Sequence, residues 1–112
     1  MAVDSKVIED VIVVNIHGNL MGWSETNECH EKIKSFISAG YKNLVLNLTH
    51  VHRVNSMGLG MLMACYHLFR NAGGHMKIAG VTEKVNSLLI MTNLITIFEM
   101  YHNADLAVQS FQ

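Results

Sequence analysis

The segment Asn55-Ser56-Met57-Gly58-Leu59-Gly60 follows directly on the apolar run Leu44-Val45-Leu46-Asn47-Leu48. It sets a hydroxyl where a buried strand and a short loop give way to a helix. A helix start carries unpaired backbone N–H groups and the positive end of the macrodipole, so it stabilises an anion held there. Ser56 can cap the helix, bind an anion, or carry a phosphate that the helix supports. A serine before an apolar helix is most often a cap. Two features point further, to a phosphorylation site. Gly58 and Gly60 are expected to leave the loop open to a kinase, and Met57 and Met61 would lie beside the hydroxyl on a partner surface. A phosphate there adds about −1.5 to −2 charges at pH 7 and repels an acidic or apolar partner.

Other chemistries find less support. His50 and His52 stand close together before the serine, and neutral imidazole is a common metal ligand. No Cys-x-x-Cys, His-Glu-x-x-His or acidic cluster accompanies them, so the reading is ordinary surface histidines and no metal. The pair Gly58-x-Gly60 lacks the third glycine of a dinucleotide fingerprint, whose place is taken by Met63. Ser56 also lacks the Gly-x-Ser-x-Gly frame and any identifiable orienting acid for a nucleophile. The expectation is a protein without catalytic residues or cofactor.

The elements that must position Ser56 are legible in outline. Lys6-Val7-Ile8 and Val11 to Ile16 are β-branched runs separated by Glu9-Asp10 and read as a hairpin. The second run alternates little, as in a central strand covered on both faces. Ser24 is a candidate cap for a helix carrying Cys29, Ile33, Phe36 and Ile37 at helical spacing, which Gly40 stops. The strand 44–48, the serine loop and a helix to about Asn71 follow; Gly73-Gly74 then turns into a strand through Met76, Ile78 and Ala79. Thr82 reads as the cap of a short helix with Val85, Leu88 and Leu89, Ile95 to Phe98 as a short strand, and Asp105 to Phe111 as a terminal helix. Such an order implies one α/β domain over residues 1–112, a mixed β-sheet of four to five strands with helices packed against it.

In the helix after Ser56, Leu59, Leu62, Met63, Tyr66 and Phe69 share one face, the expected core contact. Met57, Met61, Ala64, Cys65 and Leu68 make the opposite face apolar as well. A helix apolar all round is either buried on two sides or carries a partner surface. The favoured reading is an intermolecular surface built on Met57 and Met61, since methionine adapts to a partner; the alternative is that a terminal helix covers the stripe. Trp23, next to Met21 and Gly22, either joins that surface as an aromatic anchor or covers the sheet end.

Composition narrows the function. Half of the 112 residues are hydrophobic, 15% are charged and the formal net charge is −1, which fits a packed globule large enough to bury roughly two-thirds of its unfolded surface. No Lys/Arg-rich run with interleaved aromatics points to nucleic acid, and no apolar run approaches the ~20 residues that span a bilayer. Residues 1–6 lack the pattern of a secretion signal, and Cys29 and Cys65 read as buried reduced thiols, so the expected location is cytoplasmic.

Residues 46 to 60, Leu-Asn-Leu-Thr-His-Val-His-Arg-Val-Asn-Ser-Met-Gly-Leu-Gly, resemble the signature of the STAS domain: an apolar strand, a short linker, Asp-Ser-Ser/Ala-Gly-Leu, then an apolar helix. Residues 71–78 resemble the family's glycine turn into the next strand, and Ile16-His17-Gly18-Asn19-Leu20 the close of its second strand. The resemblance implies an anti-sigma factor antagonist, which sequesters an anti-sigma factor serine kinase and frees a sigma factor for transcription. It further implies phosphorylation of Ser56 by that kinase, with ATP bound by the partner, and a phosphatase that resets the switch. Asn55, Met57, Gly58, Met61, Met21 and Trp23 would form the docking surface. The alternative is a STAS structural subunit of a stress-signalling assembly or a lipid-transporting ATPase, without the switch. It fits Asn55 and Met21, which stand where the family pattern carries acidic residues. A homo-oligomer is compatible with the same sequence.

Overall fold

The computed structural model describes residues 2–112. Its sheet has five strands in the order β1 (Ala2–Ile8), β2 (Val11–His17), β3 (Asn43–His50), β4 (His75–Ala79) and β5 (Glu99–Tyr101). β1 is antiparallel to β2 across the turn at Glu9-Asp10, and every other pairing is parallel. The helices are α1 (Trp23–Ser38), α2 (Ser56–Asn71), α3 (Glu83–Met91) and α4 (Ala104–Gln109).

Alternation along the central strands sorts the side chains into two layers, because successive residues of a strand face opposite ways. Ile12, Val14 and Ile16 of β2 join Leu44, Leu46 and Leu48 of β3 in the larger buried cluster, with residues of α1, α2 and α3. Val11, Val13 and Val45 face the other way and are covered by Ala107 and Val108 of α4. Coverage on both faces is what the unbroken apolar run of β2 anticipates, and its first four residues are all buried. Each fully buried aliphatic side chain of this kind contributes about 1.5–3 kcal/mol.

α4 is short and covers only part of its face. Beyond it the strands turn polar in register: Asp4, Asn15 and Asn47 are neighbours across β1, β2 and β3. Asn15 Nδ2 donates to Asp4 Oδ1 at 2.8 Å and Asn47 Nδ2 donates to Asn15 Oδ1 at 2.8 Å, while the Thr49 hydroxyl donates to Asn47 Oδ1 at 2.6 Å. His17 closes the row with a 2.8 Å contact from Nε2 to Asp4 Oδ2. A one-residue slip of β1 would break both contacts of Asp4, with Asn15 and with His17. At the other edge Lys77 fastens the carboxyl-terminal part of the chain: its Nζ lies 3.0 Å from Glu99 Oε2 and 2.7 Å from Ser110 Oγ, and 4.0 Å from the centre of the Phe111 ring.

Three details of the sequence expectation are corrected. Ser24 does not cap α1; the cap position is Gly22, and no side chain closes it. The run Ile95 to Phe98 is not a strand. Asn93 takes a left-handed conformation (φ 63°) and ends α3, Leu94–Thr96 form a 3-10 turn, and β5 starts one residue after Phe98. Leu94, Ile95 and Phe98 serve the core instead, while Glu99 is drawn to β4 through Lys77. β1 is also longer than Lys6 to Ile8, because pairing with β2 recruits the polar residues before it.

The hydrogen bonds from Asn15 and then His17 hold the Asp4 carboxyl below its ordinary value of 3.8. A carboxylate lowered in the folded state adds stability above its unfolded pKa and loses it as pH falls through the lower folded value. Asp4→Asn is therefore expected to lower the melting temperature near neutral pH, with the gap to the unsubstituted protein closing below about pH 3.8. Thermal melts of both proteins across acid pH check this; a gap that persists undiminished at the acid end would refute the assignment.

Candidate functional site: the start of the second central helix

The loop after β2 and the loop after β3 are stitched together at the carboxyl end of the parallel strands. Leu20 N donates to Arg53 O at 2.9 Å and Asn55 N donates to Leu20 O at 3.2 Å, so that Leu20 and Val54 form an isolated parallel bridge. Asn19 Oδ1 accepts from Arg53 N at 3.1 Å. The β2–β3 pairing thus resumes beyond the irregularity between Asn15 and His17.

Asn55 then converts this junction into a helix start. Its Oδ1 accepts from the N–H groups of Met57 and Gly58, each at 3.1 Å, which makes Asn55 the cap of α2. Its Nδ2 donates to Met21 O at 2.5 Å, so the same amide ties α2 to the neighbouring loop. A carboxylate could supply the cap but not that donation. Gly58 is equally constrained: a Cβ there would lie 2.5 Å from Leu20 O and 2.7 Å from Val54 Cγ1. Its role is close approach of α2 to the β2 loop, not openness of the serine loop.

Ser56 is the first residue of α2 and is exposed, with Asn55 relieving it of the capping role. Met57 beside it is 42% exposed and Trp23, at the start of α1, is 66% exposed. Both line a shallow groove of about 210 Å³ between α1 and α2, floored by Gly60, Met61 and Ala64. Met21 is half-buried and belongs to a second groove on the other side of the serine loop, about 410 Å³, shared with Arg53, Val54 and residues of α3.

Met61 does not carry an open surface. It is 4% exposed and sits in the core cluster with Cys65, whose thiol contacts its sulfur at 3.5 Å. The second buried side of α2 comes from within the chain after all: α1 packs along it and contributes Cys29 and Ile33. Burial pushes the Cys29 thiol up to about 12 and raises that of Cys65 as well, with Cys29 as a neighbour, so both are inert packing groups. What sequence periodicity missed lies on α3, where Ile90 is 56% and Met91 81% exposed. The signal was present: four consecutive apolar residues, Leu88 to Met91, cannot all face the core from one short helix. Among the described residues no three His, Cys, Asp or Glu side chains come together to hold a metal ion, and His50 instead stacks on His17 with ring centres 5.0 Å apart.

The sequence profile of the STAS domain matches residues 2–107. A protein of Thermotoga neapolitana, named as a candidate anti-sigma factor antagonist, is 26% identical over 109 residues, which cover 96% of this chain and 95% of the relative. The crystal structure of a candidate anti-sigma factor antagonist from Thermotoga maritima superposes with a TM-score of 0.89 at 23% identity, over 96% of this chain and 92% of that one. The phosphorylated form of the Bacillus cell fate determinant SpoIIAA superposes with a TM-score of 0.76 at 14% identity, over 99% and 100% of the two chains. At these identities the two structures establish likeness of fold.

Three substitutions check the construction of the site. Gly58→Ala is expected to destabilise the protein by about 1–3 kcal/mol through overpacking on Leu20. Gly60→Ala, where a Cβ meets nothing within 4 Å, should stabilise by about 0.5–1 kcal/mol through helix propensity. Chemical denaturation of both variants measures the contrast. Asn55→Asp should cost about 1 kcal/mol relative to Asn, because the cap survives while a carboxylate faces the Met21 carbonyl; Asn55→Asp equal in stability to the unsubstituted protein would show that this donation carries no weight.

Proposed function

The chain belongs to the STAS domain family, and we propose that within it the protein is an anti-sigma factor antagonist: a cytoplasmic binding module, not an enzyme, that sequesters an anti-sigma factor serine kinase and so frees a sigma factor. The observation that carries this reading is exposed Ser56 on the first turn of α2, between Asn55 and Gly58 in the chain, with exposed Met57 next to it and exposed Trp23 across the groove that Met57 lines. A phosphate at that position meets the positive end of α2, worth about 0.3–1 kcal/mol at an exposed terminus, so the modified state is supported by the fold. Because Ser56 is not the cap, its modification leaves the Asn55 hydrogen bonds to α2 intact. The switch then acts on the surface and not on folding. ATP and the phosphotransfer machinery belong to the partner kinase, and a separate phosphatase restores the free hydroxyl. The name carried by the Thermotoga neapolitana relative supports the same assignment.

Purified protein is to be mixed with each anti-sigma factor serine kinase of its source genome, with ATP and Mg²⁺, followed by calorimetry and peptide mass mapping. One kinase is expected to bind, to modify Ser56 and then to release the chain. Ser56→Ala should bind without modification, and Ser56→Asp should bind about tenfold or more weakly. A lasting complex indifferent to Ser56→Asp would favour the structural-subunit reading, to which Asn55 and Met21 lend themselves. Failure of every kinase to bind would sink the proposal.

A further inference from the structure

Charge is distributed unevenly along the chain on either side of the serine loop. No Asp or Glu occurs between Glu31 and Glu83, whereas six of the eight Lys and Arg residues fall in that interval. In the 410 Å³ groove next to the serine loop, Arg53 from that interval meets Lys84 from just beyond it; His52 borders it as well, and no carboxylate lines it. Its apolar surface comes from Met21, Val54, Leu88 and Met91. Arg53 serves the fold through its backbone N–H and carbonyl alone, and neither Arg53 nor Lys84 forms an ion pair among the described residues. Met91 is 81% exposed at the groove's edge. A cationic, apolar-lined groove on a chain of formal net charge −1 marks local charge segregation, not a generally basic surface.

We propose that this groove is the specificity pocket of the docking surface, and that it receives an acidic segment of the anti-sigma factor with apolar anchors seated against Met21, Val54, Leu88 and Met91. The inference rests on the antagonist reading above and adds the sign of the charge that the partner must present. At the two positions where the family pattern is acidic, Asn55 and Met21 remove the negative charge, and Arg53 and Lys84 supply the opposite one. Paired charge of this kind steers encounter and rejects partners of the wrong sign. It also gives the switch its direction. Ser56 lies three positions from Arg53, and a phosphate of about −1.5 to −2 charges there both neutralises the cationic rim and repels an acidic segment. A basic partner segment would instead be attracted by the modified form.

The test uses the kinase that binds the unmodified protein. Arg53→Glu/Lys84→Glu is expected to weaken binding by about tenfold or more, and raising salt from roughly 50 to roughly 300 mM should weaken the unsubstituted complex in the same direction. Met91→Ser, a surface change that leaves the core intact, should weaken binding several-fold at unchanged melting temperature. Binding that survives both variants, while Ser56→Asp still disrupts it, overturns this inference and leaves the antagonist reading standing. Absence of any binding kinase removes both. Sedimentation of the protein alone is expected to show a monomer; a dimer that Met91→Ser dissociates would assign the groove to a second copy of the chain and overturn the proposal.

Discussion

The resumption of β2–β3 pairing at Leu20 and Val54 is the constraint on which the functional end of the molecule depends. Parallel strands leave their connecting loops free to diverge, yet here two backbone hydrogen bonds bring them back into register after the irregularity at the end of β2. The approach is close enough that only a residue without Cβ fits on α2 where it passes Leu20. Asn55 completes the junction with one amide that faces two elements, accepting from α2 and donating to the Met21 carbonyl. Because the backbone polar groups of the loops satisfy one another, a helix start can sit at the carboxyl end of the central strands with its first residue exposed. The serine hydroxyl is thus presented on a base held by hydrogen bonds to both loops.

The same economy explains why α2 is apolar on nearly every side. One face rests on the sheet and a second is taken by α1, which buries Met61 and Cys65. Some apolar groups stay without cover, and three of them line the grooves on either side of the serine loop: Trp23 and Met57 on one side, Met91 on the other. Exposed apolar side chains that line a groove are a feature of binding surfaces. The two grooves differ in charge, and only the one between the serine loop and α3 has a cationic border.

The opposite face of the sheet follows a different rule. Where α4 ends, the strands exchange apolar contacts for a row of side-chain hydrogen bonds from Asp4 through Asn15 and Asn47 to Thr49. Such a row gives less stabilisation than buried hydrocarbon, but its geometry is directional, so it fixes the position of the edge strand. Lys77 does the same at the other edge by joining β4 to Glu99 and Ser110. The core supplies stability, and these polar contacts supply register.

Much of the fold was legible in the residues themselves. A β-branched run marked β2, an apolar run marked β3, Thr82 marked the start of α3, and the strand–loop–serine–helix order marked the site, because these signals depend on neighbours in the chain. The Ile95 to Phe98 segment misled for the same reason, since local β-propensity does not know that β4 will recruit Glu99 instead. Likewise, a helical wheel shows that α2 has two apolar faces but not which neighbour covers the second; that required the docking of α1, a contact between segments remote in sequence. Local sequence, then, determined the α/β class, the element order and the exposed position of Ser56 at a helix start. Tertiary packing alone decided that Met61 is core, that Gly58 is a point of contact, and that Arg53, Lys84 and Met91 share one groove, because burial and charge proximity are set by which surfaces meet.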